Sequence, residues 1–111
     1  MKVNVERVGN ALVARVAGEL DMLVAAGFRT QVESALDREA ARNLILNFTE
    51  VSFIDSSGLG AILGRYKRIS QTGGIMAIVN PQPQVKRILE LSGIMRIMST
   101  YPSEEEAIKK L

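Results

Sequence analysis

The sequence predicts an α/β fold: a mixed β-sheet that opens with an N-terminal hairpin, then alternates helices and strands, with about four helices in all. Three observations predict it. Val3 and Val5, then Leu12, Ala14 and Val16, alternate on either side of Gly9-Asn10, a pair that tolerates the positive φ of a tight turn. Two runs, Leu44–Phe48 and Ile75–Val79, are almost continuously apolar, as befits strands covered on both faces. The segments between the strands carry apolar residues at helical spacing instead.

Each element follows in order. The second strand is expected to end near Ala17-Gly18, and Glu19-Leu20-Asp21 then leads into a helix whose Leu23, Phe28, Val32, Ala35 and Leu36 share one face. After the Leu44–Phe48 strand and a connector over Glu50 to Ile54, a second helix is expected from Ser57 to about Thr72. Leu59, Ile62, Leu63, Tyr66 and Ile69 form its stripe, and Gly73-Gly74 stops it. Pro81 and Pro83 punctuate the turn after the next strand. A third helix carries Val85, Ile88 and Leu89 and ends at Gly93, the small residue favoured just past a helix end. A short strand is expected around Arg96-Ile97-Met98. Ser103-Glu104-Glu105-Glu106 has the form of a capping box and starts a last helix to Leu111. The order is β-β-α-β-α-β-α-β-α. Right-handed crossovers then make the sheet largely parallel beyond the hairpin. Residues 18–21 and 55–60 both fall at the carboxyl ends of strands, on one edge.

Composition narrows the chemistry. At 111 residues the chain fits one domain, 1–111, and a 47% apolar fraction can build its core. Net charge is only +2, with acids and bases interleaved, so no basic stripe points to nucleic acid. Cys and His are both absent. This removes disulfides, thiolate catalysis and the commonest general base and metal ligand, so no metal site and no cofactor are expected. Charges among the first residues do not suit a signal peptide, and no apolar run approaches the roughly 20 residues of a spanning helix. The expectation is a cytoplasmic domain, free of membrane and monomeric when unpartnered.

The most informative stretch is Asp55-Ser56-Ser57-Gly58-Leu59-Gly60, at the start of the second helix. Unpaired N–H groups and a partial positive charge gather at a helix start, so a serine there can cap the helix or carry a phosphate. Gly58, Gly60 and Gly64 mimic a dinucleotide fingerprint. The expected connector separates them from their strand, however, and no ribose-binding acid stands about 20 residues on. Gly60 and Gly64 are read instead as allowing close helix–sheet packing. A serine hydrolase would need Gly-x-Ser-x-Gly and a histidine, and both are missing. A phosphoacceptor role for Asp55 lacks the paired acids expected after the first strand. What survives is a serine phosphorylated by another protein, which makes the segment a recognition switch and not an enzyme's active site.

These residues, continued by Ala61-Ile62-Leu63-Gly64-Arg65-Tyr66-Lys67, resemble the signature of the bacterial anti-sigma factor antagonists, the STAS domain family, with a particular likeness to its sporulation members. Gly18-Glu19-Leu20-Asp21 matches the family's other landmark, and Val85-Lys86-Arg87-Ile88-Leu89 with Leu91-Ser92-Gly93 also fits. The resemblance implies partner switching. The unphosphorylated protein binds an anti-sigma factor that is also a GHKL-type serine kinase, and the sigma factor is released. The kinase, using ATP, phosphorylates the antagonist and ends the association, and a PP2C-type phosphatase restores it. The resemblance places the phosphoacceptor on Ser56, with Ser57 as the neighbouring helix-cap residue. Asp21, Asp55, Ser57, Gly58, Leu59 and Gly60 then belong with Ser56 to the partner-facing surface. An alternative within the same family is a sensor or scaffold module of a stressosome-like or transporter-associated system. Without the resemblance, Ser56, Ser57 and Asp21 can all be read as helix caps, while Asp55 reads as functional more than capping. Arg65, Lys67 and Arg68 read as a solvated helix face.

Overall fold

The computed structural model describes all 111 residues. Strands β1 (Lys2–Val8) and β2 (Ala11–Leu20) form the hairpin, followed by α1 (Ala25–Glu39), β3 (Asn43–Ile54) and α2 (Ser56–Gln71). Then come β4 (Met76–Val79), α3 (Pro83–Ser92), a 3-10 turn over Ile94–Arg96, β5 (Ser99–Tyr101) and α4 (Glu104–Lys109). The five strands lie in the order β1-β2-β3-β4-β5. Only the β1–β2 pair is antiparallel; β2–β3, β3–β4 and β4–β5 are parallel. The mixed sheet and four helices therefore match the expectation.

Strand alternation sorts the apolar residues between two unequal layers. Leu12, Ala14 and Val16 of β2 and Leu44, Leu46 and Phe48 of β3 face a large core. There they meet Phe28, Val32 and Leu36 of α1, Ile62 and Ile69 of α2, and Val85 and Leu89 of α3. Their neighbours Ala11, Val13 and Ile45, with Ala77 and Val79, turn to the opposite face under Ala107 of α4. That is why β3 and β4 read as continuous runs: helices cover both sides. The short α4 is also held by charge. Glu104 accepts from Arg15 through both carboxylate oxygens, each at 2.8 Å, and from the Asn47 side chain at 2.7 Å. These partners hold its carboxyl below the usual carboxylate range, the Arg15 hydrogen bond being the main cause.

Several boundaries differ from the sequence reading, each for a tertiary reason. β2 runs on to Leu20, and β3 continues through the supposed connector to Ile54, because the two strands keep pairing up to Leu20 opposite Ile54. The regular alternation is interrupted because β3 carries two register shifts against β2, one between Asn47 and Glu50 and one between Val51 and Phe53. The strand anticipated at Arg96–Met98 is instead the end of the 3-10 turn Ile94–Arg96 and the bend after it, and β5 begins just beyond at Ser99. Leu23 lies before α1 and is exposed, outside the face it was assigned to. The last helix ends at Lys109, short of Leu111.

Candidate functional site

The pairing of Leu20 with Ile54 brings the ends of β2 and β3 level, so Asp21 and Asp55 leave the sheet side by side. Asp55 is the N-cap of α2. Its backbone is extended, and its Oδ1 accepts from the Gly58 N–H at 3.0 Å. Its other oxygen, Oδ2, accepts from the Met22 N–H at 3.0 Å. One carboxylate thus closes the first turn of α2 and ties that turn to the β2–α1 turn. Asp21 organises its own turn: Oδ1 accepts from the Leu23 N–H at 3.0 Å, and its carbonyl accepts from the Val24 and Ala25 N–H groups.

The capping assignments therefore change. Ser56 and Ser57 are the first and second residues of α2 and neither caps it; the cap is Asp55. Asp21 does not cap α1 either, since the residue in that place is Val24, which has no capping side-chain bond. A carboxylate directly before the first helical residue is among the strongest N-cap signals.

Gly58 explains how the turn sits so low. A Cβ there would stand 2.4 Å from the Leu20 carbonyl oxygen and 2.8 Å from Ile54 Cγ1, so only glycine lets α2 start against the strand ends. Gly60 and Gly64 have no atom within 4 Å of a built Cβ. They do not pack on the sheet, contrary to the sequence reading. They border an open cleft between α1 and α2 that Met22, Ala25, Arg29, Ser57 and Arg65 also line.

The serines differ in setting. Ser56 is exposed and Ser57 half-buried. Along α2 the exposed positions Ser56, Gly60, Leu63 and Lys67 recur at helical spacing and form one outward stripe. Leu63 was expected on the packed face but is 43% exposed, and beside the stripe Met22 and Leu23 are 72% and 86% exposed. Leu59 is half-buried against the large core. Sequence periodicity gave α2 one apolar stripe where the fold makes two: Ile62 and Ile69 face inward, Leu63 outward.

Arg65 was read as solvated and is buried. Its Nε lies 2.6 Å from Glu33 Oε1 on α1, while Glu33 also pairs with Arg68, which reaches Asp37 at 2.6 Å. These ion pairs bolt α1 to α2. The basic residues at 65 and 68 therefore hold the two helices that frame the site. No helix is long and apolar enough to cross a membrane.

Residues 2–107 match the family model described as the STAS domain. The chain is 39% identical over 111 residues to the anti-sigma F factor antagonist of Paenibacillus polymyxa, covering all of this chain and 95% of that one. The structure of the anti-sigma factor antagonist SpoIIAA in its unphosphorylated form superposes with a TM-score of 0.84 at 34% identity, over 98% of this chain and 95% of that one. The Bacillus cell fate determinant SpoIIAA in the phosphorylated form gives 0.76 at 33% identity, over 98% of both chains.

Proposed function

The chain belongs to the STAS domain family, and on that premise we propose that it works by partner switching with Ser56 as the switch. It is an anti-sigma factor antagonist. Its unphosphorylated form docks on an anti-sigma factor serine kinase of GHKL type, and the sigma factor, of a sporulation pathway, goes free. The kinase then transfers the γ-phosphoryl group of ATP to the Ser56 hydroxyl; ADP leaves and the hydroxyl proton is lost. A PP2C-type phosphatase hydrolyses the ester and resets the cycle. The protein acts as a cytoplasmic monomer between partners.

The observation that carries this reading is the division of labour at the start of α2. Asp55 does the capping, so Ser56 stands exposed in the first turn of α2 with no capping role to fill. Met22, whose N–H is tied to Asp55, its neighbour Leu23, and Leu63 two turns along the same face of α2 add exposed apolar surface. We assign the docking face to Asp21, Asp55, Ser56, Ser57, Leu59 and Gly60, with Gly58 as the residue that seats the turn. A phosphate on Ser56 adds about −1.5 to −2 charges. The positive end of α2 favours it by roughly 0.3–1 kcal/mol, so the fold tolerates the change. An interface that must bury this dianion can lose on the order of 2–5 kcal/mol. Since ~1.4 kcal/mol is already tenfold in affinity, docking is lost while the scaffold persists.

Incubation with the cognate kinase and ATP, followed by mass spectrometry, tests the assignment. Label is expected on Ser56, Ser56→Ala should bind the kinase and take no phosphate, and Ser56→Asp should bind more weakly. Label on Ser57 with Ser56 spared would refute it.

A further inference from the structure

We propose that Asp55 is a positioning residue for kinase recognition: its carboxylate holds the Met22–Leu23 turn beside Ser56, so that apolar pair and hydroxyl are presented as one surface. The inference rests on the partner-switching reading and adds to it the residue that joins the two halves of the docking face.

Met22 and Leu23 are 72% and 86% exposed. Side chains so placed gain little from core packing, so hydrogen bonds must hold their backbone. Helix α1 gives the turn no capping anchor, because Val24 in the N-cap place makes no side-chain bond. The bonds made by Asp21 stay inside the turn: its Oδ1 accepts from the Leu23 N–H, and its carbonyl from the Val24 and Ala25 N–H groups. They shape the turn without fixing it against α2. A single hydrogen bond crosses from residues 21–24 to the start of α2, donated by the Met22 N–H to Asp55 Oδ2 at 3.0 Å.

Asp55 is half-buried, and each of its oxygens accepts a backbone N–H, Oδ1 from Gly58 and Oδ2 from Met22. Hydrogen bonds to an ionised carboxylate are stronger than neutral ones. The Gly58 bond fixes the carboxylate to the first turn of α2, in the residue directly before Ser56. One group therefore sets both the phosphoacceptor's helix and the apolar pair. A turn that had to be ordered during docking would lose affinity to conformational entropy, and holding it beforehand avoids that loss. Leu63 needs no such tie, since it rides on α2 itself.

The test compares Asp55→Asn and Asp55→Ser with the wild type. Asn and Ser match Asp as N-caps, but each offers one acceptor atom where the carboxylate has two. Both variants should therefore keep a cap on Gly58 and a little-changed Tm. Amide exchange read by NMR should be roughly tenfold faster at Met22, as for loss of one charge-assisted hydrogen bond. With the cognate kinase and ATP, KM for the variant should rise roughly tenfold, the loss falling on KM and not on kcat. Leu23→Ala should raise KM in the wild type and add little on Asp55→Asn, whereas Leu63→Ala should add in full. Unchanged exchange at Met22, a wild-type KM despite faster exchange, a loss confined to kcat, or full additivity with Leu23→Ala would each overturn the positioning role. Wild-type label on Ser56 in the same assay shows that the partner-switching reading stands when the inference fails. Wild-type protein that takes no label on Ser56 overturns both.

Discussion

Three glycines in one helix should respond to alanine with opposite signs. In Gly58→Ala the new Cβ stands 2.4 Å from the Leu20 carbonyl oxygen, 2.8 Å from Ile54 Cγ1 and 2.9 Å from Leu20 Cγ. The nearest atom is backbone at the end of a buried strand, so it cannot swing aside as a flexible side chain could. Overpacking of this kind costs roughly 1–3 kcal/mol. The helix-propensity gain of alanine, at most ~1 kcal/mol in a helix interior and less in a first turn, offsets part of it. The net expectation is a loss of about 1–2 kcal/mol. Gly60→Ala and Gly64→Ala meet open space and keep the propensity gain, so each should stabilise by about 0.5–1 kcal/mol. Urea denaturation followed by circular dichroism reads the difference. With a slope of roughly 2 kcal/mol per molar, the midpoint of Gly58→Ala should fall about 1 M below those of the other two. Equal midpoints for all three variants, or a stabilised Gly58→Ala, would refute the claim that close approach to β2 is what position 58 requires.

Asp55→Ala removes the cap and the tie to the Met22 N–H together, and should cost about 1–2 kcal/mol in urea titration. Ser57→Ala, which removes no cap, should stay within about 0.5 kcal/mol in the same assay. Glu104→Gln weakens the clamp on α4. Because the folded-state pKa of Glu104 is depressed, its contribution is complete above the ordinary carboxylate pKa and is lost as pH falls through the depressed value. The stability gap between wild type and Glu104→Gln should therefore be about 1 kcal/mol at pH 7, modest because Arg15 is partly solvated, and should close in acid. Persistence of the gap at pH 2 would count against the clamp. Leu63→Asp should leave Tm nearly unchanged, since the side chain is exposed, yet weaken kinase binding about tenfold or more in calorimetry.

The succession of strands and helices, the hairpin and the helix count were determined by local signals: alternation around Gly9-Asn10, two continuous apolar runs, and glycines at helix ends. Such patterns are written in neighbouring residues, so sequence alone carries them. The same holds for Gly18–Asp21 and Asp55–Gly60 falling on one edge, which follows from parallel topology. What only the tertiary structure decided depends on distant partners. β3 extends to Ile54 because β2 is there to pair with it. Arg65 is buried because Glu33 of α1 meets it, although a basic residue between Gly64 and Tyr66 looks solvated in isolation. Leu63 is outward and Ile62 inward, a distinction of one residue that helical periodicity blurs and packing resolves. Asp55 holds two turns at once only because the β2–α1 turn lies within 3.0 Å, a proximity created by the sheet and absent from the local sequence.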